Sequence, residues 1–276
     1  MKDGVRVLAL SHIVFIAMLS LSGGFGGAVG EVIYYLAFVF PLIIGLYGAG
    51  RLKTAREQRA GVAESYPRYF SIGRRQLVSL FPIIAPTVSV ILAVSYLTAL
   101  VMGAFGIETV PVENVGFFKM ILIHALIPSV TEELVFRLLP MLLILPYSKR
   151  GCLFISALCF SLCHCDLLKF PYAFVAGIAL MLVDVVSESI LPSVILHFIN
   201  NAASVVWIVI PDSFRLWFIA VLAALALVSL ILLFIGRSFY IRAFSSAFDR
   251  GEGLKGGKEL VILVLLTFAV SVQNLF

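Results

Sequence analysis

The chain has 276 residues, of which 62% are hydrophobic and 13% charged, and its mean hydropathy is strongly positive. Soluble domains carry about 25% charged residues, so this composition excludes a soluble globular domain or a disordered chain and identifies a polytopic membrane protein. The net charge of +5 follows where basic loops sit relative to a bilayer and is no signature of nucleic acid binding; the partner it implies is the lipid bilayer.

Apolar runs of membrane-spanning length fall near 5–22, 32–50, 77–105, 117–145, 152–166, 171–187, 190–210, 214–236 and 259–276. The expected fold is therefore all-α, a single integral membrane domain over 1–276 with eight or nine transmembrane spans around a central polar cavity. Lys2 and Arg6 followed by an apolar run to Leu21 resemble a signal peptide in outline, but no Ala-x-Ala site follows, and a retained first span is expected. With the N-terminus cytoplasmic, sixteen of the twenty Lys and Arg residues fall inside, leaving only Lys119, Lys169 and Arg215 outside and Arg137 buried.

Two basic cytoplasmic loops have further character. The loop at 51–76 interleaves Tyr66, Tyr69 and Phe70 with basic residues and suits a surface attracted to anionic lipid. In the second loop Tyr240, Phe244 and Phe248 recur every four residues beside Arg237 and Arg242, as in a helix lying among headgroups. The four cysteines, Cys152, Cys159, Cys163 and Cys165, share one apolar run and are expected as small buried side chains. On a continuous helix Cys163 and Cys165 would point about 100° to either side of His164, which is poor geometry for a joint site.

The segment 117–145 places Glu132, Glu133 and Arg137 at the centre of a hydrophobic helix. Intramembrane charges at about 2.5–3.5 kcal/mol each are expensive and functional by default. Glu133 and Arg137 are spaced to form an i,i+4 pair in the favourable Glu-first order, which leaves Glu132 pointing elsewhere. Pro128 cannot donate to the carbonyl of His124, so the helix ladder opens close to Glu132. Later spans add His164 with Phe160 one turn earlier, and His197 with Asn201 four residues on; Asn200 is the alternative to Asn201 if that helix is locally tight.

Singly, each of these groups has a packing explanation, since polar residues inside membranes commonly bond a neighbouring helix. Together they are too many for packing alone and are expected to converge. A carboxylate beside imidazole and guanidinium in a desolvated site is poised as a general base. An imidazole N–H and an amide on one helical face suit a developing oxyanion. Peptide-bond hydrolysis fits these parts. Among peripheral residues, His124, two turns before Thr131, is expected to pack, with the cavity's outer end as the alternative; Asp184 and Glu188 are expected to reach the inner interface, and His12 has no evident partner.

The order EExxxR (Glu132, Glu133, Arg137), FxxxH (Phe160, His164) and HxxxN (His197, Asn201) resembles the CPBP family, the type II CAAX prenyl endopeptidases and their bacterial Abi-domain relatives. The resemblance covers about residues 117–210 and departs from the family at Leu138, where relatives commonly have Gly. It implies an intramembrane endopeptidase of a bacterial plasma membrane acting on a peptide or membrane-protein substrate. Glu132 and His164 would activate water, His197 and Asn201 would hold the oxyanion, and Glu133 and Arg137 would hold the site together. No cofactor is required by that chemistry; zinc, on two histidines and a glutamate, is the lesser alternative. The competing class is a non-enzymatic immunity factor, scaffold or proton-coupled carrier.

Overall fold

Inside a bilayer the backbone must satisfy its own hydrogen bonds, and every regular element among the described residues is helical. The computed structural model describes residues 1–25, 27–61, 116–166, 169–238 and 258–273, with scattered positions between 63 and 104 and at 241, 242 and 245. The expected span at 77–105 falls largely outside the described residues, as do Tyr66, Tyr240, Phe244 and Phe248.

Helices α1 (Lys2–Gly24) and α2 (Gly27–Ala60) form a hairpin, turned where Phe25 donates its N–H to the Ser22 carbonyl and Gly27 adopts φ +62°. The helical run α3 occupies 117–143. Then come α4 (Lys149–Leu162), α5 (Phe170–Ser187), α6 (Leu191–Val209), α7 (Asp212–Ile235) and α8 (Lys258–Gln273). Five of these, α1, α2, α5, α6 and α7, are long and apolar enough to cross a membrane. The protein is thus an integral membrane protein that is helical throughout its described elements. α7 turns Leu216, Trp217 and Phe234 outward, as a lipid-facing helix does.

Two boundaries differ from those read in the sequence. α2 continues ten residues beyond its apolar run, through the basic stretch 51–60, because Lys, Arg, Glu, Gln and Ala are good helix formers once outside hydrocarbon. α4 stops at Leu162, short of the expected 166, so Cys163, His164 and Cys165 are not on a continuous helix. The helical-wheel argument about those cysteines fails: Cys163 Sγ lies 3.4 Å from His164 Nδ1. All four cysteines are nonetheless buried and unbridged.

α3 is not a uniform helix. Wide, π-type turns at Leu122–Leu126 and Leu134–Leu138 alternate with α-helical pieces, and each ends two residues before a proline, Pro128 and Pro140. A proline ring collides with the carbonyl four residues back and cannot donate to it. Widening the preceding turn by one residue, as where the Ile127 N–H reaches the Leu122 carbonyl, relieves that crowding without breaking the helix.

α1 and α2 pack behind α3 through an aromatic cluster in which Phe15 meets Phe38 at 5.1 Å and Phe136 at 5.4 Å. His12 belongs to it, with Nδ1 2.8 Å from the Leu8 carbonyl and its ring 5.1 Å from Phe136, which supplies the partner the sequence did not show. α4 and α5 pack closely because Gly177 has no side chain: a Cβ there would come within 2.9 Å of Ala157 Cα. We expect Gly177→Val to destabilise the protein by about 1–3 kcal/mol through overpacking. Gly50→Ala, where a Cβ meets nothing within 4 Å, should instead add roughly 0.5–1 kcal/mol by relieving a helix glycine. Thermal unfolding of both variants in detergent gives the comparison.

Candidate active site

The centre of the site is a buried ion pair. Glu133 Oε2 lies 3.1 Å from Arg137 Nε, and both side chains are wholly excluded from solvent. The pairing expected from their i,i+4 spacing survives the wide turn that begins at Leu134. Pro140 then contributes indirectly. It cannot donate to the carbonyl of Phe136, and that oxygen is taken up by Ser156 Oγ at 2.6 Å and Arg137 Nη1 at 3.2 Å. The proline in α3 thus creates the acceptor that ties α4 and the guanidinium to one atom.

Phe160 of α4 fills the space between the charged groups. The Arg137 guanidinium lies over its ring at 4.4 Å, and its edge contacts place His164 at 5.2 Å and His197 at 5.6 Å, both near perpendicular. One turn later the helix ends, and His164 Nδ1 donates to the Phe160 carbonyl at 2.9 Å. That bond leaves Nε2 as the free nitrogen. His164 is within electrostatic reach of Glu132 and His197.

His197 on α6 bridges the adjacent carboxylates. Its Nδ1 donates to Glu133 Oε1 at 2.7 Å, while Nε2 faces Glu132 Oε2 at 3.8 Å. Adjacent helical residues point about 100° apart, so Glu133 faces the interior and Glu132 remains partly accessible, 16% exposed. Asn201 is one turn beyond His197, and its Oδ1 accepts from Asn200 Nδ2 at 3.2 Å, which leaves its own amide nitrogen as the outward donor. Asn200 also bonds the Tyr172 hydroxyl at 2.8 Å. The structure therefore separates the two asparagines: Asn200 is buried and anchors α6 to α5, and Asn201 faces the open side.

A cavity of about 880 Å³ ends on Glu132 and Asn201 and runs outward past Thr131, His124, Tyr34 and Tyr35. His124 lines it, where the sequence had favoured a packing role. His164, His197 and Asn200 lie behind this wall and are not part of it. Among the described residues no three His, Cys, Asp or Glu side chains are grouped to hold a metal ion. The two histidines are each held through Nδ1, by Phe160 and Glu133, and no step is derived through a metal.

Four contributors were not evident from the sequence: Asp184, Tyr34, Tyr35 and Ser156. Asp184, expected at the interface, is fully buried: its Oδ1 accepts from the Ser193 N–H at 3.1 Å and caps the first turn of α6 from the neighbouring helix. Glu188 alone of that pair reaches the surface, at the left-handed C-terminus of α5. Tyr34 and Tyr35 come from α2, far in sequence from the motifs, and no local pattern marks them as cavity walls. Ser156 is one of many serines in apolar sequence until Pro140 gives it an acceptor.

The adjacent carboxylates should behave differently in stability. Glu133→Gln leaves Arg137 buried without its counter-charge and is expected to destabilise by about 3–5 kcal/mol. Glu132→Gln, at a partly hydrated position, should stay within about 0.5 kcal/mol of wild type. Thermal unfolding of the two variants under identical detergent conditions tests this, and equal losses would contradict the division of roles.

No curated protein and no solved structure matches the chain. Residues 114–203 do match a family model, described as Type II CAAX prenyl endopeptidase Rce1-like. The matched stretch holds all six residues of the polar cluster, from Glu132 to Asn201, so over residues 114–203 the chain is similar to the Rce1-like type II CAAX prenyl endopeptidases.

Proposed function

We propose that the protein is an intramembrane endopeptidase that hydrolyses a peptide bond of a membrane-associated substrate by water activated at Glu132. The observation that carries this reading is the series Glu132, His197, Glu133 and Arg137, with one of the two adjacent carboxylates, Glu132, presented to a large cavity and the other, Glu133, locked behind it. A scaffold needs no such division. The chain would cross a bacterial plasma membrane eight or nine times, with its N-terminus in the cytoplasm.

In the reaction, Glu132 accepts a proton from water as the oxygen attacks the scissile carbonyl carbon. His164, with Nε2 free, assists in orienting that water. His197 in its imidazolium form donates Nε2–H, and Asn201 its amide N–H, to the oxygen that becomes negative. Collapse of the tetrahedral intermediate breaks the C–N bond, and the proton held by Glu132 passes to the leaving amine. Glu133 holds the His197 ring through Nδ1, and Arg137 neutralises Glu133. Neither Glu133 nor Arg137 touches substrate. A CAAX-like C-terminal peptide, a leader peptide or a membrane protein all present the required bond.

The test compares peptide termini, by mass spectrometry, in host membranes containing wild type or Glu132→Gln at matched folded levels. New termini should appear with wild type and fall by about 10²–10⁴-fold with the variant, the range for loss of a general base. Asn201→Ala should cost about 10²–10³-fold, the range for one oxyanion donor. Identical termini in all three membranes would sink the hydrolase reading in favour of a scaffold or a proton-coupled carrier.

A further inference from the structure

The two ends of the helix bundle differ in charge, and the cavity belongs to one of them. Lys2 and Arg6 at the start of α1, Arg51 to Arg59 at the end of α2, and Lys149 and Arg150 at the start of α4 lie at the same end. Contacts across that end establish this: Arg56 Nη1 donates to the Tyr147 hydroxyl at 3.1 Å, and Gly4 packs against the Leu143 carbonyl. Arg237, just past α7, and Lys258, at the start of α8, join it because those helices run in the corresponding directions. Lys119, Lys169 and Arg215 begin α3, α5 and α7 at the opposite end. Cationic ends face the cytoplasm.

The cavity is lined by the end poor in cations. Glu31 near the start of α2 and Lys119 near the start of α3 stand at its mouth, Tyr34, Met120 and Ile127 form its wall, and Glu132 lies at its floor. Toward the cationic end, among the described residues, hydrogen bonds through Tyr69 join the chain segments below the site. The Tyr69 carbonyl accepts from the Ile190 N–H at 2.9 Å and Ser189 Oγ at 3.0 Å, while the Tyr69 hydroxyl donates to the Met141 carbonyl at 3.4 Å. Burial pushes that hydroxyl up to about 12, so it remains a donor at physiological pH.

We propose that the site takes its substrate from the extracytoplasmic side, and that the substrate class is the outward-facing or translocated segment of a membrane-anchored polypeptide. This rests on the endopeptidase reading for its chemistry, though not for its sidedness. From Lys119 to Glu132 the path along α3 is about 20 Å at 1.5 Å per residue. An entering chain at ~3.3 Å per residue must therefore supply about six residues in extended form. An aromatic and aliphatic wall favours apolar side chains along that stretch. With one acidic and one basic group at the mouth, neither charge sign is excluded there.

Two measurements on the full-length protein in intact cells separate the parts of this proposal. The first uses a membrane-impermeant maleimide on Lys119→Cys and Lys53→Cys; the native cysteines are buried. Lys119→Cys should label at least tenfold more than Lys53→Cys, and permeabilisation should abolish the difference. The reverse pattern overturns the sidedness whatever the activity. The second maps the wild-type-dependent termini, absent with Glu132→Gln, onto their parent proteins. Cleavage on the outward side, blocked at least tenfold after labelling of Lys119→Cys, supports the substrate class. Cleavage only in cytoplasmic segments overturns it. If no such termini arise although Lys119→Cys labels from outside, the endopeptidase reading and the substrate class fall, and the outward cavity stands.

Discussion

A charge buried among hydrocarbon must be neutralised and hydrogen-bonded, and the Glu133–Arg137 pair imposes that requirement on everything around it. Arg137 has more donors than one carboxylate accepts; its Nη1 donates to the Phe136 carbonyl, left open by Pro140, and the guanidinium lies over the face of Phe160. Glu133 has a second oxygen, and it takes the Nδ1–H of His197. The network reaches from α3 to α4 through Ser156 and to α6 through His197. The pair need not add net stability to do this. Its effect is specificity, because few arrangements of these three helices leave neither charge unpaired.

The backbone irregularities have the same origin in prolines and chain ends. The wide turns before Pro128 and Pro140 keep α3 continuous while changing which way its side chains face. α4, at 14 residues or about 21 Å, is too short for ~30 Å of hydrocarbon. Its early end is tolerable because the freed groups find partners within the protein: the Cys163 N–H bonds the Cys159 carbonyl, and the Cys165 N–H bonds that of Leu162. His164 is carried on this non-helical turn, and its ring folds back toward Phe160.

The polar cluster was legible in the sequence because hydrocarbon makes charges conspicuous: Glu132, Glu133, Arg137, His164, His197 and Asn201 stand out against apolar neighbours. The structure brings them onto adjoining helices, and the Rce1-like match covers them. What stayed hidden depends on contacts between helices. Asp184 looked like an interface residue because it lies near a helix end, yet it caps the start of another helix. The i,i+4 rule predicted the Glu133–Arg137 contact but not the wide turn that carries it. Apolar length likewise overstated α4 and understated α2, since hydropathy reports solvent preference and says nothing of where a helix stops.

The adjacency of Glu132 and Glu133 is the economical part of the arrangement. Neighbouring positions on a helix diverge by about 100°, so one backbone segment delivers one carboxylate to the interior and the other to the cavity. His197 then connects them through opposite ring nitrogens, Nδ1 on the buried carboxylate and Nε2 toward the accessible one. The interior pair fixes the ring, and the ring faces Glu132 at 3.8 Å, so a buried ion pair and a cavity-facing carboxylate are joined through one imidazole. A single carboxylate cannot serve both ends: paired with Arg137 it is withdrawn from the cavity, and facing the cavity it leaves Arg137 and His197 unanchored.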